Sequence, residues 1–200
     1  MARQTAFNPD EKLHLAMQLF WQKGYGQTSM QEIVDTLEIN RFSIYNTFGD
    51  KQQLFIKSLS HYLDTVFKNL IAPLKGTGNG KTRLDQYLQN LGEKLQSHSG
   101  RLGCLIQNTG LELTGSGSNI EREEIGQHLT GMYSALQSEL ERAFEDALNE
   151  GDLSAQRTPL QCADHVLAAI QGLILLRKTL NQPERIKDQM DFLRSTIKEW

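Results

Sequence analysis

TSMQEIVDTLEINRFSIYNTFGDK, residues 28–51, reads as two short helices separated by a tight turn. Thr28-x-x-Gln31 and Ser29-x-x-Glu32 both match the reciprocal side-chain cap that opens helices, and Ile33, Val34 and Leu37 then fall on one inward face. Glu38-Ile39 leaves only a brief turn before Asn40, whose side-chain oxygen suits it to cap a third helix running through Phe48. Ile44 and Phe48 keep the four-residue spacing of a packed face. Arg41, Ser43, Tyr45, Asn46 and Thr47 instead offer hydrogen-bond donors that suit phosphates and base edges. Helix pairs of this spacing also form ordinary bundle corners. The polar donors distinguish a helix that enters the major groove from one that enters a core.

The flanks support the same organisation. Asn8-Pro9-Asp10-Glu11 combines an N-cap, a proline at the first helical position and acids in the first turn, so a helix runs to Lys23, where Gly24 stops it. Gly49-Asp50-Lys51 opens a long fourth helix carrying Leu54, Phe55, Leu59, Tyr62, Leu63, Phe67 and Leu70. Lys51 stands in the first turn, where its charge opposes the helix dipole, a small cost that makes sense beside a phosphate.

Beyond a Gly-rich break at 73–81, Thr82-x-x-Asp85 is expected to cap a helix with Leu84, Leu88, Leu91 and Leu95 on one face. A helix over about 102–113 is followed by the loop Thr114-Gly-Ser-Gly-Ser118, and Ser118-x-x-Glu121 restarts a long helix striped from Ile125 to Leu148. Thr158-Pro159 and Gln182-Pro183 open two last helices, the first apolar nearly all round. With straight-chain residues abundant and no convincing alternation, the expected class is all-α, about nine helices.

Composition excludes several alternatives. A net charge of −3 argues against a protein that coats nucleic acid. Residues 1–57 hold six Lys or Arg and six Asp or Glu, so any DNA affinity depends on how the positive groups share a face. Two cysteines and an N-terminus without an apolar segment imply a cytoplasmic protein with no disulfide scaffold. The longest apolar stretch, Val166–Leu176, is far shorter than the roughly 20 residues of a membrane span. Lys75-Gly-Thr-Gly-Asn-Gly-Lys81-Thr82 lacks the spacing and the preceding strand of a phosphate-binding loop, and reads as a linker. The five histidines show no metal-ligand spacing, no cofactor is indicated and no catalytic set stands out.

Residues 10–57, with Phe20-x-x-x-Gly24-Tyr25, Thr28, Ile33 and Ile44-Tyr45-x-x-Phe48-x-x-Lys51, resemble the DNA-binding domain of TetR/AcrR-type repressors. The resemblance implies a helix-turn-helix domain over 1–57, an effector-binding and dimerisation domain over 58–200, and a homodimer that leaves double-stranded operator DNA when an effector binds. It places Tyr45 and Lys51 on phosphates and Arg41, Phe42, Ser43 and Asn46 at bases, with Thr28, Ser29 and Thr47 as further DNA-facing candidates. Phe42 departs from the small residue common at its position.

The dimer is expected to bury Leu167, Ile170, Ile174 and Leu193, because a helix apolar on nearly all sides needs a second chain to cover it. The effector candidates are Tyr62, Phe67, Gln107, His128, Met132 and His165. Cys104, near a helix start, is expected either to react with oxidants or electrophiles or to be a buried, inert thiol. A helical ligand-binding or enzymatic protein with a vestigial DNA-binding end is the alternative.

Overall fold

The computed structural model describes residues 7–113, 119–154, 156–180 and 182–200; among them there are helices and turns but no strand. The loop expected at 114–118 and the cap expected from Ser118 lie outside the described residues.

Helix α1 (Pro9–Lys23) starts as its sequence dictates: Asn8 accepts from the Asp10 amide at 3.0 Å, and the chain leaves the helix at Gly24 with φ of 84°. Ala16, Met17, Phe20 and Trp21 form its buried face. Of the two candidate caps for α2 (Met30–Leu37), Ser29 is the one used, accepting from the Glu32 amide at 3.2 Å while the Glu32 carboxylate accepts from the Ser29 amide at 2.8 Å. Thr28 turns back instead and donates its hydroxyl to the Gly24 carbonyl at 2.6 Å. Glu38 makes the turn with φ of 53°, and α3 (Arg41–Phe48) follows, capped by Asn40 on the Ser43 amide at 2.8 Å. Gly49, at φ of 89°, leads into α4 (Lys51–Tyr62), which Asp50 and Gln53 cap reciprocally. The positive φ at Gly49 favours glycine at this corner, and a Cβ there would also displace the capping Gln53 side chain.

Lys23 and Glu32 form an ion pair across α1 and α2. That bond, then the Ser29 amide and hydroxyl, lower the Glu32 carboxyl from 4.5 to about 2. A depressed carboxyl contributes stability that is complete above its unfolded value and is lost as pH falls through the folded one. Carboxyl-carbon NMR should give a Glu32 midpoint near 2 that moves up towards 4.5 in Lys23→Ala; an unmoved midpoint would put the shift elsewhere.

The long fourth helix is not continuous. A π-helical turn at Leu63–Phe67 is followed by the single turns α5 (Lys68–Leu70) and α6 (Ala72–Lys75). Thr65 donates its hydroxyl to the His61 carbonyl at 2.6 Å, the kind of side-chain competition that bends helices, and Leu63, Phe67 and Leu70 are only half-buried. Helix α7 (Gly80–Gln96) is capped by Asn79, not Thr82: Thr82 supplies the amide that Asn79 accepts at 3.0 Å. The Gly-rich segment serves packing, since a Cβ on Gly80 would meet the Ala143 carbonyl oxygen at 2.2 Å. A 3-10 turn at His98–Leu102 leads through Gly103 to α8 (Leu105–Leu113). Then come α9 (Asn119–Asn149), α10 (Pro159–Thr179) and α11 (Pro183–Glu199).

The chain forms two compact units. One takes the chain up to Val66 together with Cys104–Thr130; the other takes Phe67–Gly103 and Gly131–Trp200. In the first, α1 packs along α4 and against α2, with α8 against both α1 and α4. In the second, α7 packs on α11, and the buried Arg83 donates to the Leu74, Gly76 and Gly78 carbonyls and pairs with Asp146. Helix α10 is longer than its apolar stretch suggested: at 21 residues and mean hydropathy 1.4 it is long and apolar enough to cross a membrane. One side of it packs into the unit, where Arg177 donates to the Leu95 carbonyl at 2.7 Å and Val166, Ile170 and Leu173 are buried.

Candidate nucleic-acid interface

Helix α3 is held by its apolar side and presents its polar side. Ile44 is fully buried and Phe48 nearly so, whereas Phe42 is 72% exposed and Tyr45 43%. Arg41 and Asn46 are exposed, with Ser43 and Thr47 half-buried beside them. Arg41 lies over the Tyr45 ring at 5.7 Å and reaches its hydroxyl at 3.5 Å, so the two side chains form one donor surface. No acid interrupts α3; Lys51 in the first turn of α4 and Lys57 further along it add positive charge, the latter donating to the Phe48 carbonyl at 2.9 Å. A cleft of about 360 Å³ lined by Tyr45, Asn46, Gly49, Gln53 and Lys57 adjoins this surface.

One expected DNA-facing residue is placed otherwise. Thr28 is buried at 1% exposure with its hydroxyl bound to Gly24, so it shapes the α1–α2 turn. Ser29 is exposed, yet its hydroxyl is engaged with Glu32 in the cap. Tyr25 was missed. Its ring lies 4.9 Å from Phe55 on one hand and carries the Lys51 ammonium at 4.4 Å on the other. The Gly24-Tyr25 pair reads locally as a helix end, and nothing near it in sequence points to Lys51.

Residues 13–57 match the family model for the bacterial regulatory proteins of the tetR family, and residues 80–193 match the tetracyclin repressor-like C-terminal domain. The chain belongs to the tetR family. As a member it is a DNA-binding transcriptional regulator with a helix-turn-helix in α2 and α3. It is similar to the uncharacterised regulator YezE of Bacillus subtilis, 25% identical over 98% of this chain and all of that one. It also resembles the repressor BdcR of Escherichia coli, 31% identical over 52% of this chain and 53% of that protein. Among solved structures, a cysteine mutant of the TetR-family regulator CifR complexed with 26-base-pair double-strand operator DNA superposes with a TM-score of 0.83. It is 24% identical, covering 96% of this chain and 98% of that one.

The effector candidates are divided between the two units. Tyr62 is buried, its hydroxyl 3.5 Å from the Cys104 sulfur, and His128 meets the Ser60 hydroxyl at 3.1 Å, both in the first unit, as is Gln107. Phe67 and the buried Met132 belong to the second. His165 departs from expectation. It is exposed on α10, its ring 5.4 Å from Trp200, because position 165 faces away from the buried side set by Val166 and Ile170.

Cys104 stands just before α8, where the sequence allowed either a reactive thiol or a buried, inert one. Burial outweighs the amides of Gln107 and Ile106 and the Tyr62 hydroxyl, and the thiol is pushed up. Both cysteines are free.

Of the expected dimer residues, Ile170 is covered entirely within its own chain and Ile174 and Leu193 nearly so, at 9% and 6%. So covered, they have little surface left to offer a partner. The apolar surface of α10 and α11 lies instead at Leu160, Leu175, Leu176 and Phe192, the last 67% exposed. A shallow groove of about 300 Å³ beside them is lined by Ala168, Gly172, Leu176, Phe192 and Leu193. Leu167 is half-buried.

Proposed function

We propose that this regulator is a repressor that binds a quasi-palindromic operator as a homodimer through α3, and that an effector held by residues 58–200 releases it. The observation that carries the reading is the division of α3: Ile44 and Phe48 are buried while an acid-free face of Arg41, Phe42, Tyr45 and Asn46 stands in solvent. Such a face contributes little to stability and suits base and phosphate contacts. Tyr45 and Lys51 position the protein on phosphates; Arg41, Phe42, Ser43 and Asn46 read bases, Phe42 by apolar contact of the kind thymine methyl groups accept.

The dimer forms through α10 and α11, whose exposed Leu160, Leu175, Leu176 and Phe192 offer apolar surface to a partner. A cytoplasmic location goes with that role. The effector is a reversible small molecule, and it acts by binding the DNA-free state more tightly than the bound one. Attack on Cys104 by an oxidant or electrophile is the less favoured route, since a buried thiol with a raised pKa is a poor nucleophile. Selection of duplexes from a random pool with the purified protein tests the proposal: enrichment of an inverted repeat supports it, and a pool without a shared sequence opposes it.

A further inference from the structure

Helix α8 belongs in sequence to the stretch matched by the C-terminal family model, yet it packs with α1 and α4 in the same compact unit as α3. Its Glu112 reaches the α1–α2 turn, 86 and 87 residues away in sequence, and accepts from two successive backbone amides, Tyr25 at 3.0 Å and Gly26 at 2.5 Å. Successive N–H groups that converge in this way form a concave nest for an anion. Its walls are built to admit the carboxylate. A Cβ on Gly24, where φ is +84°, would lie 2.7 Å from one carboxylate oxygen, and a Cβ on Gly26 would lie 3.0 Å from the other.

Between those two glycines stands Tyr25, whose ring packs on Phe55 at 4.9 Å and supports the Lys51 ammonium at 4.4 Å. A cation over an aromatic face is attracted by the ring quadrupole, so the position of the ring biases the position of the charge.

We propose that Glu112 is a positioning residue for DNA binding: seated in the Gly24-Tyr25-Gly26 nest, it fixes the Tyr25 ring, and through it the Lys51 ammonium, at a phosphate. The inference rests on the reading of Lys51 as a phosphate contact. A shift of α8 that withdrew the carboxylate would free the turn and loosen Lys51 without disturbing α3 itself, giving α8 a direct hold on operator affinity.

Glu112→Gln is the test, because an amide keeps one acceptor but turns a donor towards the second N–H. With a duplex selected from a random pool by the wild-type protein, the variant should bind about three- to tenfold more weakly. Its plot of log affinity against log salt should flatten by roughly 0.9, the share of one phosphate contact. Combined with Lys51→Ala, it should add nothing further to either loss. In the DNA-free protein the Lys51 ε-methylene protons, shifted upfield by the Tyr25 ring, should move back towards their ordinary position. Tyr25→Leu, which leaves the nest intact, should reproduce the losses of affinity and of salt slope and serves if Glu112→Gln does not fold.

If Lys51→Ala flattens the salt plot while Glu112→Gln and Tyr25→Leu do not, or if their losses add to that of Lys51→Ala, the positioning role is overturned and the phosphate contact stands. If Lys51→Ala itself leaves affinity and slope unchanged, the phosphate reading fails and the positioning role falls with it.

Discussion

Phe192→Asp yields a monomer in sedimentation velocity and weakens binding to a selected inverted repeat by about 10²- to 10⁴-fold, the range by which joining two binding modules raises affinity. Phe192 is 67% exposed on α11, so the substitution removes few contacts within the chain and leaves helicity and folding cooperativity intact. Once the partner is lost, each protomer grips one half-site alone and the second binding event is no longer intramolecular. A charge at the centre of an apolar contact also costs several kcal/mol when it finds no partner there. Phe192 is a better site for this test than Ile174, which is 9% exposed, because Asp at position 174 would damage the fold of the protomer as well as the dimer. An unchanged dimer mass in Phe192→Asp would place the interface on another face.

Arg41→Ala should reduce affinity for the selected operator by about 1–3 kcal/mol, roughly five- to 150-fold, while leaving binding to a scrambled duplex nearly as it was. A base-reading arginine acts only where its base is present, whereas a phosphate-binding residue acts on every sequence. Arg41 opens α3, the end of a recognition helix that contacts base edges, and its contact with Tyr45 at 3.5 Å limits the arrangements it samples before binding. The operator selected by Arg41→Ala should have lost a preference at one position in each half-site. Phe42→Ala should alter a neighbouring position by a smaller factor, since an apolar contact carries no hydrogen bond. Equal losses on operator and scrambled duplex would move Arg41 to a phosphate.

The helix-turn-helix was legible because its punctuation is local: Asn8, Asn40 and Asp50 cap, Gly24 and Gly49 stop, and Ile44 and Phe48 declare a buried side within eight residues. Where two local signals competed, sequence did not separate them. Thr28 and Ser29 both satisfied the same cap pattern, and it was the turn at Gly24 that drew the Thr28 hydroxyl away. Asn79 took the cap expected of Thr82 for a similar reason, because Glu150 and Asp152 hold the Asn79 amide and orient its oxygen to the helix. Apolar periodicity along α10 announced a buried helix but not which of its sides stays uncovered; Ile170, fully buried, and Leu176, left exposed, are told apart only by the helices packed around them. The nest that holds Glu112 joins residues 86 and 87 apart, and contacts of that range leave no periodic trace.

The most direct test of operator recognition by a dimer is a titration of the selected inverted repeat with wild-type protein. It should be carried out at moderate salt with excess competitor DNA, affinity and stoichiometry being read together. Two protomers per duplex, bound at least about 10³-fold more tightly than to a scrambled duplex of the same length, is the expected result. One protomer per duplex, or no preference between the two sequences, would contradict it.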